Sequence, residues 1–487
     1  MKRLTVLITL LALGMGPAGT AYCSTGDDMM SVIDSMKHQM AQMQQTIQEQ
    51  SEKIRRLEVR TAEAPSPTPI PGPANAAATM SDNDFQKSLK DNIGEVVPFL
   101  KGAKYYGDIR LRMENFDYFN QKQDAGATTT DRTRNRYRVR LRWGFEKDYL
   151  DDWKVGFRLA TGSTTDQTST NQTLGNSGYF NFKTINIDRV YATYSPNGLK
   201  DMGPLKGVTV GAGKFDNPFL RYSTTIVWDG DVTPEGMYEK GTFELYNTEE
   251  NKVFFDTVLG QFITNENLGG PETDAGLYGY QGAFRWTTYN IDPNHPVSFA
   301  FATSYYDYTN WFQTVTANTA ATSYLRTNTL IADDFRVLDI YPEVQFTLAN
   351  IPTVVWYDYA TNTANVGTDD LAGSLGNDIH DQDKAWGLGV KFGKPQKKGD
   401  WDFGYGFYSI GANAVVAAFN DSDFGGPGQA GFTNRVGHKL NASYLLTDNI
   451  GVAWTGFWVE PLNPSTLVAT STNEDVFRSQ VDLNFKF

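Results

Sequence analysis

The stretch RNRYRVRLRWGFE (134–146) places Arg136, Arg138, Arg140 and Arg142 at every second position, with Tyr137, Val139, Leu141, Trp143 and Phe145 between them. Period two is the side-chain period of a β-strand, so every guanidinium leaves one face and every apolar group the other. One such strand fits a soluble sandwich with a solvated outer face. Recurrence of the pattern decides what larger fold is possible.

The pattern recurs from Ala103 to the C-terminus. In YYGDIRLRME, residues Tyr106, Asp108, Arg110, Arg112 and Glu114 share one face, and Tyr105, Ile109, Leu111 and Met113 the other. Segments such as WKVGFRLAT (153–161, carrying Arg158), VSFAFATSYYDY (297–308), WDFGYGFYS (401–409) and RSQVDLNFKF (478–487) alternate likewise. Counting such segments over 103–487 predicts sixteen strands, among them 104–116, 134–147, 235–246 and 475–487. Mostly short turns such as TDN alternate with long Gly/Asn/Thr/Asp-rich loops such as 309–334 and 413–434. An even strand number with short turns at one end and long loops at the other is the layout of a transmembrane antiparallel β-barrel. A soluble propeller would show self-similar repeats of about 40 to 50 residues, and none is present.

Sixteen strands leave a lumen wide enough for water, so charged side chains point inward without entering hydrocarbon. The arginines of the opening stretch are thus expected to line a pore. Trp143, Trp153, Trp286, Trp401 and Tyr444 lie near strand ends, where aromatic girdles meet headgroups. No run of 18 or more apolar residues follows the leader, so a membrane role has to use strands.

The N-terminal part reads differently. Residues 1–23 have the form of a secretory signal peptide: Lys2 and Arg3, an apolar run, and AYC before Ser24. Lipidation of Cys23 is the alternative, although Tyr22 stands where a lipobox wants a small residue. Removing Lys2 and Arg3 takes the formal net charge from −13 to −15, which argues against nucleic acid as a partner. Over 27–60, Met29, Ile33, Met36, Met40, Met43, Ile47, Gln50, Ile54 and Leu57 fall alternately four and three apart, with Gln50 the only polar residue among them, the seam of an α-helical coiled coil that would join parallel chains. Residues 61–84 form a Pro/Ala-rich linker, and 85–100 a short amphipathic helix ahead of the barrel domain at 103–487.

At GDIRLRMENFD, NRYRVRLRWGFE, VGFRLATG, STNQTLG, DRVYATYSP, GKFDNPF and WDGDVTPEG, all within 107–236, the chain resembles the putative porins of Gram-negative bacteria, and more broadly the sixteen-stranded trimeric general porins. The resemblance implies passive diffusion of small hydrophilic solutes or ions across the outer membrane and a homotrimer embedded in outer-membrane lipid. It also implies that the third long loop, 216–234, folds into the lumen, and that Phe487 is the terminal aromatic of an assembly signal. Because the chain enters the barrel from the side of its short turns and C-terminus, the N-terminal extension is expected in the periplasm, long enough to reach the cell wall. On the basis of the resemblance, Asp216, Asp229, Asp231 and Glu235 are expected to face Arg110, Arg112, Arg136, Arg138, Arg140, Arg142 and Arg158 across the narrowest point. A substrate-specific channel and a barrel-anchored adhesin are the alternative functions.

No catalytic or cofactor constellation is expected. Histidines stand at 38, 295, 380 and 438, too dispersed for a zinc cluster, and Cys23 is the single cysteine. His438 is expected to point into the lumen as a solvated lining residue. Asp229-Gly230-Asp231 has the spacing of a calcium loop but lacks its other ligands, and reads as a turn or a pair of pore-lining acids.

Overall fold

The computed structural model describes residues 101–119, 132–176, 178, 180–219, 225–266, 274–311, 328, 334–364, 382–425, 433–462 and 475–487. The signal peptide, coiled-coil seam, linker, short helix, His38 and His380 lie outside the described residues. The strands are β1 (Lys104–Phe119), β2 (Arg132–Tyr149), β3 (Trp153–Thr161), β4 (Gln172–Thr173), β5 (Ile185–Tyr194), β6 (Leu205–Lys214), β7 (Glu235–Asn247), β8 (Asn251–Asn265), β9 (Ala275–Thr288), β10 (Val297–Thr309), β11 (Phe335–Leu348), β12 (Ile351–Asn362), β13 (Lys384–Gly393), β14 (Trp401–Ile410), β15 (Arg435–Leu445), β16 (Ile450–Pro461) and β17 (Asp475–Lys486).

Successive long strands pair antiparallel, and β17 returns to pair with β1 from Asp108↔Lys486 to Phe119↔Asp475, so the sheet closes on itself. The architecture is all-β: a closed barrel of sixteen long strands, as the alternation predicts, with β4 added. That addition follows from unequal lengths. β2 has 18 residues and β3 only nine, so the upper part of β2 would lack a neighbour. β4 folds back to supply Arg138↔Thr173 and Val139↔Gln172. Unpaired backbone groups on a strand edge are costly, and β4 relieves part of this one, with the Leu174 N–H donating to the Tyr137 carbonyl at 2.8 Å beside the two paired residues.

The burial pattern inverts that of a soluble protein. On β1, Leu111 and Met113 are 47% and 46% exposed, whereas Arg112 and Glu114 between and beside them are 7% and 0% exposed. Apolar groups form the outside of the barrel and charged groups the inside. Trp153, Trp286, Trp401 and Tyr444 are exposed at the short-turn end, with Trp401 and Tyr444 as register partners.

His438 corrects the expectation for it. On β15 the inward positions are odd, as Lys439 shows by pairing with Asp421 of a loop, and His438 stands on the outer face. It is exposed, with its Nδ1 2.8 Å from the hydroxyl of Tyr405 and its ring edge-on to Phe407.

Inside, one side of the barrel holds an apolar bed. Phe219, Ile226, Val227 and Trp228 of the 215–234 loop pack with Phe262, Leu277, Tyr306 and Tyr308 of the wall. Phe219 lies so close to β9 that a Cβ on Gly279 would stand 2.2 Å from its ring, which is why glycine is needed there. The loop is thereby tied to the wall opposite the arginines.

Candidate pore constriction

The charged side of the lumen is built by β17, β1 and β2. Register sets Arg110 opposite Arg140 and Arg112 opposite Arg138, while Asp108 meets Arg142 and Glu114 meets Arg136. Like charges directly across a strand pair repel, and at 4 Å a unit pair is worth about 4 kcal/mol at an effective dielectric of about 20, far above the ~0.2–1 kcal/mol of an ordinary cross-strand contact. Acids must therefore be interleaved. Asp108 reaches Arg140 at 2.6 Å and Arg142 at 2.7 Å, and Asp482 of β17 reaches Arg112 at 2.6 Å and Arg110 at 3.6 Å. Glu114, fully buried, pairs with Arg136 and lies 2.9 Å from Arg478, 3.5 Å from Arg112 and 3.8 Å from Arg138. Arg158 stands apart from this group and pairs with Asp188 of β5.

Three loops meet this wall. From the first, 162–184, Ser169 Oγ and the Asn171 carbonyl accept from Arg138 at 3.1 and 3.0 Å. From the second, 215–234, Asp231 approaches Arg142 at 3.4 Å and accepts from the Thr170 amide and hydroxyl at 3.1 and 3.0 Å. Burial opposes ionisation of Asp231, but Arg140, Arg142 and the Thr170 N–H outweigh it and hold the carboxyl below its ordinary value. From the third, 411–434, Asp423 pairs with Arg478 at 2.6 Å and Arg112 at 3.1 Å.

The four loop acids expected from the sequence thus separate. Asp231 reaches the arginines. Asp229 turns to its neighbours, accepting from the Asp231 N–H at 2.7 Å and the Ser422 N–H at 3.3 Å. Asp216 pairs with Arg189 at 2.9 Å, and Glu235 with Lys214 at 2.7 Å, away from the seven arginines. Burial, then Asp421 and Asp231, push the Asp229 carboxyl well above the ordinary range. Charged groups that the sequence reading left out are Arg478, Asp482 and Asp423. Arg478 and Asp482 lie on the same period-two row of β17, so alternation already marked them as inward; Asp423 had its own signal, the apolar run AVVAAF (414–419), which is out of place in a surface loop.

A closed barrel with an apolar exterior, a charged interior and loops drawn against that interior has the architecture of an outer-membrane channel. The sequence matches the family described as putative porin over residues 112–330 and 313–487, and the chain belongs to that family, whose class is the outer-membrane channel of Gram-negative bacteria. No match is found among curated protein sequences. Solved structures of similar chains include OprB of Pseudomonas putida at high pH (11% identity, 83% of this chain and 96% of that chain, TM-score 0.45). OmpF of Salmonella typhi in complex with daunomycin (11%, 79% and 97%, TM-score 0.41) and the outer membrane channel DcaP of Acinetobacter baumannii (14%, 79% and 97%, TM-score 0.37) are two more.

Proposed function

We propose that the chain is a porin through which small hydrophilic solutes or ions diffuse passively, with the lumen narrowed where the loops approach the arginine wall. The observation that carries this reading is the inverted burial: Arg112, Arg138 and Arg140 face inward while Leu111, Met113 and Tyr137 face outward on the same strands. Rings of paired cations and anions in a wet lumen pass ions and set a preference among them. The wall's surplus of arginine over acid supports a mild preference for anions. Planar-bilayer recording of the purified protein tests the reading: stepwise conductance is expected, and its absence from correctly inserted barrels refutes it.

A second reading, a substrate-selective channel, is favoured by one feature. Three loops pack against the inner wall, leaving less free cross-section than one loop would. Uptake that saturates with solute concentration would mark it.

The assembly belongs to the same proposal. The barrel is read as a homotrimer in outer-membrane lipid, and the seam from Met29 to Leu57 as a periplasmic parallel coiled coil. At about 1.5 Å per residue the rod would reach roughly 40 Å towards the cell wall. Cysteines introduced at Met43 of neighbouring chains are expected to crosslink; a monomeric isolated segment at high concentration would count against it.

A further inference from the structure

The segment 411–425 does not behave as a surface loop. Ala414, Val415, Ala417, Ala418 and Phe424 are completely buried. Asn328 braces the turn, its Nδ2 donating to the carbonyls of Ala412 and Val415 at 2.8 Å each and its Oδ1 accepting from the Ala417 N–H at 3.0 Å. Phe424 meets the ring of Tyr408 edge-on at 5.3 Å.

Its far end repeats the geometry of the other in-folded loop. In Asp229-Gly230-Asp231 the first carboxylate accepts the N–H two residues on at 2.7 Å and the second reaches Arg142; in Asp421-Ser422-Asp423 the corresponding bond is 2.8 Å and the second carboxylate reaches Arg112 and Arg478. The two turns are joined directly, Asp229 N–H donating to the Phe419 carbonyl at 2.6 Å and Asp421 N–H to the Thr225 carbonyl at 3.2 Å.

We infer that residues 411–425 form a second constriction segment and that Asp423 is its specificity-determining residue, its carboxylate standing in front of Arg112 and Arg478 and withholding both from permeating anions. The inference rests on the channel reading above. Around this point Arg112, Arg136, Arg138 and Arg478 share three acids: Glu114, Asp482 and Asp423. Their side chains are 0%, 9% and 26% exposed, so Asp423 is the one that water and ions meet. The guanidinium groups behind it are 6% (Arg112) and 2% (Arg478) exposed. Glu114 and Asp482 are built into strands, whereas Asp423 is delivered by a loop, so its charge alone changes what the lumen presents without rebuilding the wall. Burial opposes its ionisation, yet Arg478, Arg112 and Arg138 hold its carboxyl well below the ordinary range, so it is charged at neutral pH.

The test is the zero-current potential of the full-length channel in a dilute salt gradient. Asp423→Asn is expected to shift it towards anions by more than Asp231→Asn does, because Asp423 stands before two guanidinium groups with its side chain 26% exposed, whereas Asp231 stands before Arg142 with its side chain 16% exposed. Asp423→Glu is expected to stay near the wild type. As a second variant, Asp423→Cys is labelled after insertion, in a chain whose other cysteine, Cys23, is replaced by serine. A sulfonate-bearing thiosulfonate should return the potential towards the wild-type value, and a trimethylammonium one should move it further towards anions. A wild-type channel that conducts, with neutral variants of unchanged potential, overturns the inference and leaves the channel reading standing. Failure of both neutral variants to insert also overturns it, since Asp423 would then act in folding. A wild-type barrel without conductance instead removes the channel reading itself.

Discussion

Gly107 and Phe487 exchange both of their backbone hydrogen bonds: the Gly107 N–H donates to the Phe487 carbonyl at 2.9 Å, and the Phe487 N–H to the Gly107 carbonyl at 3.1 Å. The last residue of the chain is therefore part of the seam that closes the barrel. Its ring lies across Gly107, where a Cβ would stand 2.6 Å from the Phe487 ring and 2.4 Å from the Arg142 carbonyl.

The first prediction concerns that seam. Deleting Phe487 removes the final pair of ladder bonds and the ring over Gly107, and is expected to leave the protein exported but poorly inserted. Gly107→Val should act similarly from the other strand, because its side chain has no room. Yield of heat-modifiable barrel measures both. Wild-type yield from the deletion would show that closure does not depend on the terminal residue.

A second prediction separates wall from loop. Replacing Arg138 and Arg140 by glutamate should move the zero-current potential towards cations in dilute salt, while Asp229 and Asp231 to asparagine together should move it towards anions, with both effects fading at high salt as screening shortens. Since Asp231 touches Arg142 and Asp229 does not approach the wall arginines, Asp231→Asn alone should reproduce the double change. Equal potentials for wild type and both double variants would take these residues out of the conducting path.

Glu114 supports a third. It is fully buried and shared among four arginines, so Glu114→Gln leaves guanidinium groups buried without their common counter-charge. Breaking a buried pair by removing one partner costs about 3–5 kcal/mol. The variant should unfold at lower urea than wild type in detergent or lipid, followed by tryptophan fluorescence, with the arginine-neutral Arg136→Gln less affected. An unchanged midpoint would show that water, not Glu114, screens this cluster.

What the sequence made legible is what period two records. With lipid outside and polar groups inside, every strand must alternate, and the expected spans 134–147 and 235–246 differ by at most two residues per end from Arg132–Tyr149 and Glu235–Asn247. β4 left no trace, because two residues of STNQTLG cannot display a period and their pairing is dictated by the excess length of β2. The orientation of His438 was in fact readable: Val436, Leu440, Ala442 and Tyr444 share its parity and mark the outer face. The constriction was half legible. Wall charges follow from alternation, whereas which loop enters the lumen depends on contacts between segments nearly 200 residues apart, such as Asp229 with Ser422.

The final prediction is a pH dependence with opposite signs at two acids of one loop junction. Asp229 is buried against Asp421 and Asp231, with Asp423 beyond them, and its carboxyl is raised well above the ordinary range. A raised carboxyl stabilises the folded junction fully below its unfolded value of about 3.9, and that contribution is lost as pH rises through the raised value. Asp423 is the reverse: lowered by Arg478, Arg112 and Arg138 against the pull of burial, it contributes above about 3.9 and is lost only as pH falls through its lowered value. Raising pH should thus add the negative charge of Asp229 to those already carried by Asp231 and Asp423 at the meeting of the 215–234 and 411–434 loops and loosen their contact, while Asp423 still holds Arg478. Single-channel current noise is expected to grow on the alkaline side in the wild type. Asp229→Asn, which imitates the protonated acid, should abolish that growth and leave the acid-side behaviour unchanged. If noise follows the same pH profile in the wild type and in Asp229→Asn, Asp229 does not titrate at the junction and the loops are held together by other contacts.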